Sequence, residues 1–503
     1  MKMNRKLGIS VASLAIASLT LTGCGADESS PESSSPQELT WMAMLHTPTT
    51  PEPGGPVESA LEEITGVGLD FQWVPAASSS EKLNSAIASD KLADIVTLQS
   101  VDSTTIRKAL ASGQFWDVEK YLSEFPNLSK IDPQTVEAAK LDGHLYGVPI
   151  QKPKARYGVI IRQDWLDNLG LEVPHTIDDL EKVAHAFAHD DPDGNGQDDT
   201  DGILDRNESF NVGFRILSGY FGAGADFELN DDDEIVASFT TDAFKEAMEW
   251  YRGVYEDGSV NQEFVTLQKQ HQEDGMAKGA AGIMMAGFIA IPNYMAIAQS
   301  IDPNTPTKWT MINDMTYKDV PRRILTDTNG GFGGWLAFPK SEIKDEAELR
   351  VALGVIDDLL TEEAFGVMTN GIEGEHYEID ADGVVTVLDQ GAWERDVQPY
   401  ASSRPSDTLV TYNSTKPYAN EAAELMAEND DYTVTNVAQP FTSETFNSRW
   451  SEVEKEAQDA YNKYMVGQLD MDGYEAVIDK LLDGDLGKIQ AEYTEAYRAV
   501  NGS

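Results

Sequence analysis

The residues best spaced for chemistry run Asp191-Pro192-Asp193-Gly194-Asn195-Gly196-Gln197-Asp198-Asp199. Oxygen-bearing side chains stand at positions one, three and five, glycine at six and an acid at nine. Gln197, at seven, offers its backbone carbonyl. This is the ligand logic of an EF-hand loop, where hard oxygen donors surround Ca²⁺ and the glycine permits a sharp turn. Asp191, Asp193, Asn195, Gln197 and Asp199 are therefore predicted to hold a structural calcium. The departure comes at position twelve, where Gly202 replaces the bidentate Glu. The alternative is an Asp/Gly-rich loop that binds nothing.

A second constellation is Lys152-Pro153-Lys154-Ala155-Arg156, a dense cationic run in a chain of net charge -49. Lys154 and Arg156 could grip a ligand carboxylate, with the guanidinium forming a bidentate pair. The alternative is a solvated surface patch. Enzyme signatures are missing: there is no G-x-S-x-G, H-E-x-x-H, phosphate loop or dinucleotide fingerprint. The seven histidines read as scattered, without metal spacing. Among 86 acidic residues carboxylate pairs must occur somewhere, so their abundance does not argue for a glycan hydrolase. No enzyme is expected.

The elements that would position these groups are legible from periodicity. Leu39 to Leu45 reads as a strand ended by His46-Thr47-Pro48, Val57 to Ile64 as a helix and Leu69 to Val74 as a strand. Glu81 to Ser89 reads as a helix and Ala93 to Leu98 as a buried strand. This alternation predicts an α/β fold with a parallel sheet. A second α/β region starts at Val159, with Gly170 closing a helix and Thr176 capping another. Ala280 to Ala286 and Trp335 to Phe338 read as apolar strands, and the last hundred residues as mostly helical. Ligands in such sheets lie beyond the carboxyl ends of strands. That nominates His46 and Gln99, with Trp335, Tyr220 and Phe288 as aromatic rings able to stack on a sugar. Each ring could equally be core.

The N-terminus is basic (Lys2, Arg5, Lys6), then weakly apolar from Leu7 to Leu21, then Leu21-Thr22-Gly23-Cys24. This is the pattern of an export signal. It resembles a bacterial lipoprotein signal, which implies cleavage before Cys24 and lipid attachment to its sulfur. Cys24 is the one cysteine, which leaves no thiol for a disulfide or a thiolate metal site. Residues 24–37 lack large apolar side chains and read as a tether. The protein is thus expected to be anchored on the extracellular face of a Gram-positive cell membrane, touching it through lipid alone. The acidic balance repels nucleic acid.

Several segments together resemble a known family. They are Tyr146-Gly147-Val148-Pro149, Ile161 to Gly170, Asp191 to Gly196, Asn370 to Tyr377 and Met471 to Tyr474 onward. Their order resembles extracellular solute-binding lipoproteins of carbohydrate ABC transporters, in the large Gram-positive branch similar to alginate-oligosaccharide-binding proteins. The resemblance implies a monomer with a two-lobed periplasmic-binding-protein type II fold: parallel-sheet lobes, crossover strands and a helical C-terminal region. It implies lobes of 38–150 plus 281–328 and 151–280 plus 329–503, after a signal (1–23) and tether (24–37). It also implies an oligosaccharide ligand, acidic ones included, handed to permease subunits. In that family the last calcium carboxylate comes early, which leaves Asp198, Thr200 or Asp201 open as the final ligand. Competing readings are a binder of another solute, a sensor or adhesin lipoprotein and, least of all, a secreted hydrolase.

Overall fold

In a computed structural model, the chain is described over residues 38–45, 49–75, 78–99, 104–197, 199–301, 303, 305 and 307–502. The signal, Cys24, the tether, His46 and Asp198 lie outside them. The first sheet contains β1 (Glu38–Leu45), β2 (Gly68–Pro75), β3 (Ile95–Leu98), β4 (Gly147–Gln151) and a late strand, β12 (Phe332–Ala337), in the order β2-β1-β3-β12-β4. β1 runs parallel to β2 and β3, as the strand–helix alternation predicts, whereas β12 is antiparallel to β3 and β4. Trp41 anchors this sheet. It is fully buried, stacks on Phe71 at 5.2 Å and donates its indole N–H to Thr97 Oγ1 at 3.0 Å. Gly334 shows why the sequence gives glycines before Trp335. Its φ is +119°, and a Cβ there would lie 2.3 Å from the Leu98 carbonyl oxygen.

The second sheet has the order β10-β5-β9-β6. Its strands are β5 (Tyr157–Arg162), β6 (Asp201–Ile203), β9 (Ala281–Gly287) and β10 (Trp309–Ile312). β6 is parallel to β9, while β5 is antiparallel to β9 and β10. Both faces are covered. Val159, Ile161, Ile283 and Met285 enter one apolar cluster, and Ile160, Met284 and Ala286 enter another. This period of two with no polar face is why these strands read as continuous apolar runs. Gly282 lets the helix Ile177–His189 close on the sheet, since a Cβ there would sit 2.2 Å from the Phe187 ring.

The lobe boundaries differ from those expected. Residues 281–312 belong to the second sheet and its clusters, not the first lobe. β12 and the helices Glu346–Leu359 and Gln398–Ser403 pack on the first sheet, not the second. The reason is physical: an apolar strand can satisfy either sheet, and its own residues do not say which edge it meets. The helices Glu444–Met465, Met471–Leu482 and Asp485–Asn501 complete the second lobe, burying Tyr461, Tyr464, Tyr474 and Tyr493. The acidic turns at 231–234 and 380–383 close two hairpins. These are β7 (Phe227–Leu229) with β8 (Ile235–Ala237), and β13 (Tyr377–Ile379) with β14 (Val384–Val387).

A buried polar knot holds the second lobe together. Asp205 Oδ2 accepts from Ser209 Oγ at 2.5 Å and Tyr251 Oη at 2.7 Å, while Oδ1 accepts from the Arg206 N–H at 2.8 Å. Ser209 in turn meets Tyr461 Oη at 2.9 Å. Burial pushes the Asp205 carboxyl up, and those donors oppose it. The knot ties the segment after β6 to two helices far apart in sequence. Asp205→Ala leaves several buried donors without an acceptor and is expected to cost about 3 kcal/mol of unfolding free energy. Urea denaturation of the variant measures it, and an unchanged midpoint would remove the knot from the account of stability.

Candidate functional site

The crossings near residues 151–156 and 326–332 lie side by side, and the first-lobe segment 403–407 runs along the start of the first. Gln151 N–H donates to Pro405 O at 2.9 Å and Asp407 N–H to Gln151 O at 2.8 Å. Lys152 N–H donates to Gly331 O at 2.8 Å, and Thr328 Oγ1 to Pro153 O at 2.6 Å. The cationic run predicted to grip a ligand is engaged here. Lys152 Nζ pairs with Asp407 at 2.7 Å. Lys154, buried, meets Asp132 at 2.8 Å and Gln134 at 2.7 Å. Arg156 lies on Asp327, with its Nε at 2.7 Å and its backbone N–H at 2.8 Å. Lys154 is thereby assigned to the hinge, while Arg156 also borders a cavity.

That cavity is one of three strung along the lobe junction. A central cavity of about 330 Å³ is lined by Arg107, Asn211, Asp226, Asn329, Trp450 and Glu454, among others. A second, about 360 Å³, shares Asn211, Asp226 and Asn329 and adds Arg156 and Arg215. A third, about 590 Å³, shares Arg107 and adds Lys108, Tyr146 and Glu492. Arg107 comes from the helix Thr104–Ala111, which follows the carboxyl end of β3 in the first lobe. Trp450 comes from the helix Glu444–Met465 in the second.

The second lobe's wall is aromatic. Phe446 stacks on Trp450 at 4.9 Å, and Phe227 and Tyr493 close the group, 5.2 Å from Trp450 and 5.3 Å from Phe227 respectively. Polar groups surround it. Arg215 is held by Asp226, 3.0 Å from Oδ1, and donates to Thr326 O at 3.0 Å. Burial pushes the Glu454 carboxyl up, opposed by the Asn211 amide. A flat apolar platform with guanidinium and carboxylate groups around it suits a sugar, whose ring face is apolar and whose hydroxyls need both donors and acceptors.

The rings nominated from sequence are elsewhere. Trp335 is buried in the first lobe's core and spends its indole N–H on Ala139 O at 2.9 Å. Tyr220 and Phe288 are buried in second-lobe clusters. Each sits in an apolar run, which is where core residues also sit. Gln99 is half-buried just past β3. Arg107 and Trp450 were missed because they are 343 positions apart, and nothing local in either segment marks a cleft.

The Asp191 loop folds as its spacing predicts, in the second lobe between the helix Ile177–His189 and β6. Gly194 and Gly196 take φ of +70° and +78°. Asn195 Nδ2 donates to Asp193 at 3.0 Å and Asp199 at 3.1 Å, and Gly196 N–H to Asp191 Oδ2 at 3.0 Å. Asp191 Oδ1 is buried without a hydrogen-bond partner among the described residues. An orphaned carboxylate oxygen inside a ring of oxygen donors fits a hard cation. Of the candidates for the last ligand, Thr200 spends its hydroxyl on Phe187 O at 2.8 Å, and Asp201 is pushed up to about 6 by burial and by Glu263. The histidines also need correcting. His185 and His189 stand one turn apart and meet Asp257, an i, i+4 spacing that sequence alone could have flagged.

Two lobes with an aromatic-walled cavity at their junction fit a protein that holds a solute. The chain belongs to the bacterial extracellular solute-binding protein family, whose model matches residues 59–348. It is 32% identical over 485 residues to the polygalacturonan/rhamnogalacturonan-binding protein YtcQ of Bacillus subtilis (strain 168), covering 95% of this chain and 96% of that one. It is 28% identical over 477 residues to lipoprotein LipO of the same organism, covering 93% of each. Among solved structures, the S. pneumoniae ABC-transporter substrate binding protein FusA, as an EF-hand mutant in complex with fructo-nystose, shares the fold. The TM-score is 0.64 at 19% identity, over 93% of this chain and 100% of that one.

Proposed function

We propose that the cleft binds an oligosaccharide carrying uronate carboxylates and presents it to the permease of an ABC importer, without chemical change to the sugar. The observation that carries this reading is the Trp450–Phe446 platform on one lobe with Arg107 from the other lining the same cavity. A sugar stacked on the platform reaches the other lobe's guanidinium, so the ligand bridges both lobes and favours the closed state. The YtcQ similarity, at 32% identity over nearly the whole chain, supports a pectin-type acidic ligand.

The Asp191 loop, in this reading, holds Ca²⁺ through Asp191, Asp193, Asn195, the Gln197 carbonyl and Asp199. The ion stiffens the second lobe and takes no part in chemistry. Cys24 carries a lipid that keeps the monomer beside its permease, on the outer face of the cell membrane. The similarity to LipO supports this, and among the described residues no helix is long and apolar enough to cross a membrane.

Four outcomes are expected. In isothermal titration, oligogalacturonides bind more tightly than neutral fructo-oligosaccharides, with no new reducing ends formed. Trp450→Ala weakens binding by about tenfold or more, the scale of one lost aromatic contact. Equal affinity for both sugars in wild type would sink the acidic-ligand reading. EDTA lowers the melting temperature by several degrees, Ca²⁺ restores it, and Asp193→Ala removes the response. A melt indifferent to EDTA rejects the calcium. Finally, Cys24→Ser shifts the protein from the membrane fraction of the producing cells to their medium, and retention in the membrane fraction refutes the anchor.

A further inference from the structure

The histidine cluster lies apart from both the cleft and the acidic loop. His189 ends the helix Ile177–His189 and His185 stands one turn before it, a four-residue spacing that places both imidazoles on one face. Asp257 caps the C-terminal end of a different helix, Asp242–Glu256. His185 Nδ1 is 2.8 Å from Asp257 Oδ2, and His189 Nε2 is 3.6 Å from the same oxygen. The two imidazole rings are 4.6 Å apart between centroids, and one ligand atom from each residue can be chosen so that all three lie within 4.8 Å of one another.

We propose that His185, His189 and Asp257 form a second cation site, for a borderline divalent metal such as Zn²⁺. Three arguments converge. The donor set is two imidazole nitrogens and a carboxylate oxygen, the set zinc takes when a fourth position stays open to water. Donors about 2.0–2.1 Å from a tetrahedral ion are themselves about 3.3 Å apart, and the two histidine–carboxylate separations, 2.8 and 3.6 Å, bracket that value. His189 Nε2 now hydrogen-bonds the Asp257 carbonyl at 3.1 Å, and ligation would exchange that bond for the metal. The surroundings also favour a cation. Ser259 Oγ donates to Asp257 Oδ2 at 2.6 Å, orienting the carboxylate from outside the donor set. The C-terminal ends of both helices direct their partial negative charge at the cluster.

The site differs in kind from the Asp191 loop. The loop offers oxygen alone and suits hard Ca²⁺, whereas nitrogen donors select zinc, nickel or copper over calcium. Its effect would be mechanical. One metal would tie together the ends of two second-lobe helices, one of which leads directly into the acidic loop.

Zn²⁺ titration of the EDTA-stripped, Ca²⁺-resupplied full chain, read by isothermal calorimetry at neutral pH, tests the proposal. One Zn²⁺ per chain is expected. His185→Ala and His189→Ala should each weaken it by about tenfold or more, since even outer partners of metal ligands are worth that much. Asp193→Ala should leave zinc affinity unchanged, and the metal-free melts of the two histidine variants should match wild type, which separates lost ligation from misfolding. Three results would overturn the site: no zinc uptake, affinity unchanged in both histidine variants, or affinity lost through Asp193→Ala.

Discussion

The rest of the structure depends on how the chain crosses between its two sheets. It does so near residues 151–156, 326–332 and 414–418, and the first-lobe segment 403–407 is strapped beside the first of these crossings. Lys152, Lys154 and Arg156 fasten that first crossing to Asp407, Asp132 and Asp327. In a chain of net charge -49, cations are scarce, and this dense run is spent at the pivot. The pairs are partly shielded from water, so their carboxylates and ammonium groups would be costly to leave alone. Their worth lies in fixing which backbone segments touch. Because they sit at the pivot, lobe rotation need not break them.

This assignment changes the meaning of a sequence feature. A local cationic run reads equally well as a ligand grip, a surface patch or a structural clasp, because the partner acids are distant in sequence. Asp327 is 171 positions from Arg156 and Asp407 is 255 from Lys152. The same limit explains the lobe boundaries. Periodicity identifies Ala281–Gly287 as a buried strand, yet only pairing with β5 puts it in the second lobe. It explains Trp335 as well, whose glycine-rich lead-in comes from close backbone packing against Leu98, not from a ligand.

What the sequence made legible was local. The β1–β3 parallel unit, the Thr176 cap, the Gly170 stop and both acidic hairpin turns follow from spacing within a dozen residues. The Asp191 loop belongs to the same class, since its donors are close neighbours and its two glycines adopt the turn conformations the pattern demands. The cleft is the opposite case. Arg107, Asp226, Asn329 and Trp450 share no motif, and only the tertiary fold makes them neighbours.

That nonlocality has a functional consequence. The aromatic platform belongs entirely to the second lobe, so a sugar can dock on it while the lobes are apart. Arg107 stands on the first lobe and lines the same cavity, so in the proposed reading its contact is added only as the lobes approach. A ligand shifts the open–closed equilibrium only by its differential affinity for the two states. Stacking on Trp450 alone contributes equally to both and shifts nothing. Contacts that exist solely across the junction carry the whole shift. Ligands of similar affinity can therefore differ in how well they close the protein, and selectivity for transport rests on the polar side of the cleft more than on the aromatic side.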